Sequence, residues 1–423
     1  NYVQSIPCLS NLSREYYFNF YTMKNLFFIF FITVLNFESY AQKFDNIAET
    51  PPMGWNSWNK FACNINEQVI RAAADAMVSS GMKDAGYEYI VIDDCWHGER
   101  DSDGFIHADK EKFPSGMKDL ADYIHSKGLK FGIYSDAGTE TCGGEPGSRG
   151  HEYQDAIKYA SWGVDYLKYD WCNTGKQNAE ASYTTMRNAL YSAGRPILFA
   201  ICEWGDNKPW ELAQDIGHMW RTTGDIYACW DCEEDHGDWS SWGVLKILDM
   251  QDGLRKYAGP GHWNDPDMME VGNGMSVAED RAHFAMWCML SAPLIAGNDL
   301  ADMSAETVAI LTNEDMIAIN QDSLGIQCFK YSSKEGLETW FKPLKNGDWA
   351  VTFLNRADQE HQVNFNWEDH QIEDPDFEYR VDFKNTLFSV RDIWAQKDLK
   401  TTKHALNARV APHDVITLRL VKK

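Results

Sequence analysis

From Pro51 onward one pattern recurs eight times: a run of β-forming residues ending near Gly, Asp or Trp, then a segment with apolar residues at helical spacing. The strand runs are 53–58, 87–94, 130–136, 164–170, 196–204, 218–225, 262–268 and 293–299. The helical segments are 67–84, 116–127, 151–162, 179–192, 210–216, 242–254, 277–289 and 306–320. Eight β-then-α units within roughly 270 residues predict an α/β fold, a (β/α)8 TIM barrel. Strands buried in such a barrel should read as apolar runs, and units two to five do. The first and seventh runs are weak and take their place from the count.

The pattern changes after Gln321. Short runs at 339–341, 348–354, 362–367, 379–383 and 415–421 mostly alternate apolar and polar residues, with turns such as Asn346-Gly-Asp. They predict a C-terminal antiparallel β-sandwich of about 95 residues. The expected division is 42–324 for the barrel and 325–423 for the sandwich. No low-complexity linker separates them, so direct packing is expected.

The first 41 residues differ from the rest. Met23-Lys-Asn precedes the apolar run Leu26-Phe-Phe-Ile-Phe-Phe-Ile-Thr-Val-Leu35, and Ser39-Tyr-Ala41 follows. A basic start, an apolar run of about ten and small residues at a cleavage point read as a secretory signal peptide. The run is short for a membrane span. Residues 1–22 read as upstream translated sequence, and 1–41 is set aside from the fold. The protein is expected to be exported, periplasmic or extracellular, with no membrane attachment after cleavage.

Lys and Arg number 39 against 63 Asp and Glu, a formal charge of −24. That balance argues against nucleic acid and anionic membrane surfaces as partners. Seventeen Trp and nineteen Tyr supply flat faces of the kind that pack on neutral sugars. Export permits disulfides. Of ten Cys, Cys8 lies in the prefix, so nine remain and at least one is unpaired. Cys229-Trp-Asp-Cys232 is a lone CxxC, either a local disulfide or two thiols; without a second such pair or a His cluster it does not read as a metal site.

In a barrel of this kind function collects at the C-terminal strand ends. Those ends carry Trp55, Asp93 and Asp94, Tyr134 and Asp136, Lys168 and Asp170, Glu203 and Trp204, Arg221 and Asp225, and Asp265 and Asp267. Helix capping is the default reading for Asp136, Asp265 and Asp299. A ring of acids, aromatics and two cations exceeds what capping needs. Strand alternation puts Lys168 and Asp170 on one face, where the ammonium would hold the carboxylate ionised. No metal is expected: His ligands are sparse, and Lys168 and Arg221 would compete with a cation. No Gly-rich phosphate loop follows a strand. Glycoside hydrolysis needs one ionised and one protonated carboxyl flanking a sugar, and other groups that read its hydroxyls. Asp170 suits the ionised role. Asp225, on strand six, is the expected partner, with Asp231, Glu233 and Glu234 as like-charged neighbours that would raise its pKa.

At these positions Met53-Gly-Trp-Asn-Ser-Trp, Ile92-Asp-Asp-Cys-Trp, Gly132-Ile-Tyr-Ser-Asp, Thr141-Cys-Gly-Gly-Glu-Pro-Gly-Ser, Leu167-Lys-Tyr-Asp-Trp-Cys, Cys202-Glu-Trp, Trp220-Arg-Thr-Thr-Gly-Asp-Ile and Trp263-Asn-Asp-Pro-Asp-Met resemble glycoside hydrolase family 27, in particular its α-galactosidases. The resemblance runs in order from about Pro51 to Leu324 and extends to the family's C-terminal β-sandwich. It implies an exo-acting, retaining double displacement on a galactose-containing oligo- or polysaccharide, without a cofactor. Asp170 matches the nucleophile and Asp225 the acid/base. Asp93 and Asp94 match acceptors for the 4- and 6-hydroxyls, and Lys168 a donor to the 3- and 4-hydroxyls. Glu203 and Arg221 match the 2-hydroxyl contacts. Trp55 and Tyr134 match pocket walls, and Trp204, Asp267, Met268, Cys142 and Cys172 fall within the implied substrate site. Cys63 with Cys95 and Cys142 with Cys172 match family disulfides, and Cys202 and Cys288 are expected reduced and buried.

Members that take an N-acetyl group carry a small residue in place of the acid of Cys202-Glu-Trp, so Glu203 implies its exclusion. Members acting on β-L-arabinopyranosides change one acid of the Asp-Asp pair to Glu, whereas both are Asp here. The competing readings are that related arabinopyranosidase and a non-catalytic sugar-binding barrel; retention of both Asp170 and Asp225 argues against the second. The insert at 229–238 either shapes the leaving-group side or is a solvated acidic loop, with the loop expected.

Overall fold

The computed structural model describes residues 43–423, and the expected signal segment lies outside them. Eight parallel strands form one curled sheet: β1 Met53–Asn56, β2 Tyr89–Val91, β3 Lys130–Asp136, β4 Tyr166–Asp170, β5 Leu198–Ile201, β6 Met219–Arg221, β7 Trp263–Asp265 and β8 Leu294–Ala296. Neighbours in sequence pair in order from β1 to β7, and β8 returns to β1 through Met53↔Leu294. The β7–β8 seam holds a single parallel bridge, Met269↔Ala296. Pro266 has no N–H to give a ladder, and Asp267 turns to φ 87°, so β7 stops at Asp265.

The strands are shorter than their apolar runs. Tyr89–Val91 is paired where 87–94 was expected, because Asp93 and Asp94 already belong to the loop above the sheet. Helix 67–84 ends at Ser79, two residues before Gly81 at φ 85°. Helix 306–320 is two helices: Asn313 accepts Met316 N–H and starts Glu314–Asn320 afresh after Ala305–Leu311. Segment 242–254 holds only Val244–Asp249, and 210–216 only Pro209–Leu212. Two hairpins went unforeseen in the strand–helix loops, His97–Arg100 with Ile106–Ala108 and Glu233–Asp235 with Ser240–Trp242.

Under the sheet, the segment from Lys43 closes the barrel floor. The Lys43 ammonium donates to the carbonyls of Gln214, Gly217 and Gly261 at 2.6, 3.1 and 3.0 Å. His218 Nε2 contacts the Phe44 carbonyl at 2.9 Å.

Beyond the barrel, six antiparallel strands run in the order Phe329–Lys334, Leu337–Pro343, Trp349–Asn355, Val415–Lys422, Phe388–Asp392 and Lys397–Asp398. Two paired ribbons, His361–Phe365 with Leu406–Val410 and Gln371–Glu373 with Arg380–Asp382, cover a core of Phe341, Trp349, Phe365, Trp367 and Leu418. The sandwich packs directly on the barrel. Arg255 forks onto Asp374 at 2.5 and 2.7 Å, and Arg281 forks onto Asp414 at 2.8 and 2.5 Å. Lys342, on the sandwich, is buried against the barrel, donating to Cys288 O and Ser291 Oγ, and burial lowers its pKa to about 8.

Candidate active site

The C-terminal ends of the strands enclose a small pocket lined by Trp58, Asn59, Asp93, Asp94, Tyr134, Cys142, Lys168, Asp170, Trp204, Arg221, Asp225, Asp267 and Met268. A larger hollow at the opposite end is lined by residues such as Glu88, Lys130 and Asp165, and these three charges are already matched. Asp165 pairs with His125 and Arg195, and Glu88 with Lys130.

Each side chain is placed by a strand that stops beneath it. β4 ends at Asp170, whose Oδ1 accepts Trp171 N–H at 3.0 Å, its one hydrogen bond among the described residues. Burial raises the pKa of Asp170, and Lys168 opposes that shift. Lys168 is not clamped onto Asp170 as expected from the strand face. Its ammonium donates to Asp93 Oδ2 at 2.8 Å, and Asn56 Nδ2 donates to the same oxygen at 2.7 Å. Asp93 follows β2, two strands over from β4, and reaches the ammonium across the barrel mouth. Asp94 accepts Cys95 N–H at 2.6 Å and Gly143 N–H at 2.7 Å. A Cβ on Gly143 would lie 2.9 Å from Cys95 Sγ, so this approach needs glycine.

Asp225 differs from the expected like-charged setting. Arg221 Nη2 donates to its Oδ1 at 2.9 Å and also reaches Asp267 Oδ2 at 2.9 Å. Glu233 and Glu234 are drawn off into the exposed hairpin strand. The Asp225 side chain is 36% exposed while Arg221 is 4% exposed, so the pair joins solvent to the barrel interior. Asp267 also accepts Ile226 N–H at 2.9 Å, tying the chain just after Asp225 to the top of β7. Cys95, Trp204 and Asp267 all take positive φ, 71°, 55° and 87°. Strained backbone clustered at strand ends is typical of a functional site.

Three expected positions fall elsewhere. Trp55 does not line the pocket: it is fully buried and donates to Asn298 O at 2.7 Å. The strand ends at Asn56 and turns into the helical turn Trp58–Phe61, so Trp58 and Asn59 supply that wall. Trp58 stands in the same Gly-Trp-Asn-Ser-Trp segment; reading it as strand hid the turn. Glu203 also lies outside the lining. β5 stops at Ile201, and the Glu203 carboxylate folds onto Asn207, accepting its N–H at 2.9 Å. Burial raises its pKa to about 7. Cys172 is held beside the pocket, bonded to Cys142, which does line it.

The remaining cysteines follow expectation. Cys63 pairs with Cys95, and Cys202 and Cys288 are free and buried. Cys229–Cys232 forms the local disulfide. The capping default holds for Asp299, which accepts Ala301 N–H. It fails for Asp136 and Asp265. Asp136 accepts Gly138 N–H at 2.6 Å and Cys172 N–H at 2.9 Å, while Asp265 accepts Asp267 N–H at 3.0 Å. Both brace the loops of the site instead.

Residues 50–322 match the family described as alpha galactosidase A, and 334–420 its C-terminal beta sandwich domain. The chain is 62% identical over 387 residues to an alpha-galactosidase A of Cellvibrio japonicus, covering 92% of this chain and 96% of that one. Alpha-galactosidase I of Mortierella vinacea superposes with a TM-score of 0.83 at 39% identity, over 89% of this chain and 98% of that one. An α-galactosidase of Saccharomyces cerevisiae with raffinose superposes with a TM-score of 0.80 at 31% identity, over 90% and 99%.

Proposed function

The chain belongs to the α-galactosidases of glycoside hydrolase family 27 and hydrolyses terminal α-galactosides; we propose that Asp170 and Asp225 carry this out by retaining double displacement. The supporting observation is that both carboxyls line one small pocket, one buried with a single backbone hydrogen bond, the other partly open to solvent on a guanidinium. Asp170 attacks the anomeric carbon while Asp225 gives its proton to the glycosidic oxygen, and the leaving sugar departs. Asp225, now ionised against Arg221, takes a proton from water. That water attacks the anomeric carbon, breaks the bond to Asp170 and releases galactose with its original α configuration.

Asp93, Asp94 and Lys168 form the hydroxyl-reading wall, and Tyr134, Trp58 and Trp204 the aromatic wall. Trp55 and Glu203 act through the packing behind them. The substrate is a galactose-bearing oligosaccharide or polysaccharide side chain; the relative from Saccharomyces cerevisiae was solved with raffinose. The proposed domains are 42–324 and 325–423. Three disulfides fit an oxidising compartment, so export accords with the chemistry. No helix among the described residues is long and apolar enough to cross a membrane.

A panel of nitrophenyl glycosides, with the first-formed anomer read by NMR, tests this. Turnover of the α-galactoside with α-galactose appearing first is expected. A β product appearing first overturns the double displacement.

A further inference from the structure

The loop after Asp225 carries two exposed aromatic side chains that the glycone pocket does not use. Tyr227, two residues beyond Asp225, is 45% exposed, and Trp239 is 54% exposed. An exposed indole on a mobile loop would mean little, but this one is held. Glu233–Asp235 pairs antiparallel with Ser240–Trp242, and His236 N–H donates to Trp239 O at 2.9 Å across the turn Gly237-Asp238. The His236 and Trp239 rings stack with centroids 4.0 Å apart, and His236 Nε2 lies 2.9 Å from Ser241 Oγ. The root is woven to the Cys229–Cys232 disulfide: Gly243 N–H donates to Cys232 O at 2.9 Å and Val244 N–H to Cys229 O at 3.0 Å.

The same hairpin is tied to Asp225. Trp242 N–H donates to Asp225 O at 3.0 Å, and Tyr227 N–H donates to Trp242 O at 2.8 Å. The Trp242 ring packs on Gly224, where a Cβ would lie 2.5 Å from it. Trp239 is three residues from Trp242, so at ~3.3 Å per residue it stands within about 10 Å of the residue that holds Asp225. That span is the scale of one or two sugar rings. Whatever is bonded to galactose must leave on the side of its acid, Asp225, and these are the exposed aromatic side chains that the loop after Asp225 carries. Rigid aromatic side chains bind with little loss of conformational freedom.

We propose that Tyr227 and Trp239 form a platform for the neutral sugar rings of the leaving group, Tyr227 for the ring bonded to galactose and Trp239 for the next. The C–H faces of those rings would lie on the phenol and indole. The assignment rests on Asp225 being the acid that serves the leaving group.

The test compares Tyr227→Ala, Trp239→Ala and Asp225→Gln on 4-nitrophenyl α-galactoside, melibiose and an α-galactosyl-branched mannan. Both aromatic side chains are exposed, and an unchanged melting temperature checks the fold. Tyr227→Ala should lower kcat/KM about tenfold on melibiose and mannan, and leave the nitrophenyl substrate within about twofold. Trp239→Ala should show its about tenfold loss on the mannan alone. A loss spread equally over all three substrates, or no loss on any, overturns the platform. Asp225→Gln separates the premise: wild-type turnover of melibiose by that variant would overturn the acid assignment, whatever the aromatic variants do.

Discussion

The Lys168 ammonium lies 2.8 Å from Asp93 Oδ2, with the two side chains 12% and 2% exposed. Their strands are separated by β3, so the pair spans the pocket beside Asp170. Removing one partner leaves the other charge buried, at a cost of roughly 2–5 kcal/mol. Lys168→Met should therefore lower kcat/KM by about a hundredfold or more and depress the melting temperature together. Both are read by steady-state kinetics and a thermal scan; a variant unchanged in both would mean the pair is inert.

The two carboxyls should separate chemically. Asp170→Ala should remove turnover, and azide should restore it as β-galactosyl azide, since the small anion enters the face the carboxylate vacates. Asp225→Gln should spare substrates with acidic leaving groups and lose roughly 10²–10⁴-fold on those that need protonation. Wild-type activity in Asp170→Ala would remove it from the reaction.

The barrel was legible because eight units repeat a physical necessity: a buried strand must be apolar and the following helix must cover it. The ring of acids at the strand ends was legible for the same reason, since carboxylates cannot belong to the strand interior. What escaped was decided by single turns. Trp58 replaces Trp55 in the pocket because the chain leaves the sheet at Asn56. Glu203 turns to Asn207 because β5 stops at Ile201. The partners of Lys168 and Asp225 lie 75 residues away and four residues back at the end of β6, respectively, and charge alone could not choose them. The hairpin at 233–242 was hidden by its acidity, which reads as solvated loop until the backbone pairs.

Stability should fall on the alkaline side. Burial raises Glu203 and Glu270 to about 7 and Asp265 to about 6. A carboxyl with a folded pKa above its unfolded ~4 binds its proton more tightly when folded. Its contribution is whole below about pH 4 and is lost as pH rises through 6 to 7. Glu67 and Glu279 act oppositely, held down by hydrogen bonds from Ser115 and Ser276 and by Arg71 and His413, so stability also drops in strong acid. The melting temperature should be highest near pH 4–6, falling by several degrees toward pH 8, roughly 2–4 °C per kcal/mol. A flat profile from pH 5 to 8 would contradict it.

Two independent anchors hold the chain just after Asp170. One is the Cys142–Cys172 disulfide, closing a separation of 30 residues; the other is the Asp136 carboxylate, which accepts Cys172 N–H at 2.9 Å. Asp136 stands in register with Asp170 on the neighbouring strand, so it fixes the same point from the sheet side. Cys142→Ser/Cys172→Ser should therefore cost about 3–4 kcal/mol of stability by the loop-closure scale, while kcat falls only a few-fold, because the backbone stays pinned. Asp136→Asn keeps the shape but offers one acceptor oxygen where the carboxylate accepts two amide N–H groups, and should likewise be tolerated alone. Combined, the three substitutions free the loop, and the loss in kcat should exceed the product of the separate losses by about tenfold or more, the sign of coupled positions. The cycle is measured at a temperature well below the melting point of the weakest variant. Multiplicative losses would show that the anchors act on different parts of the site.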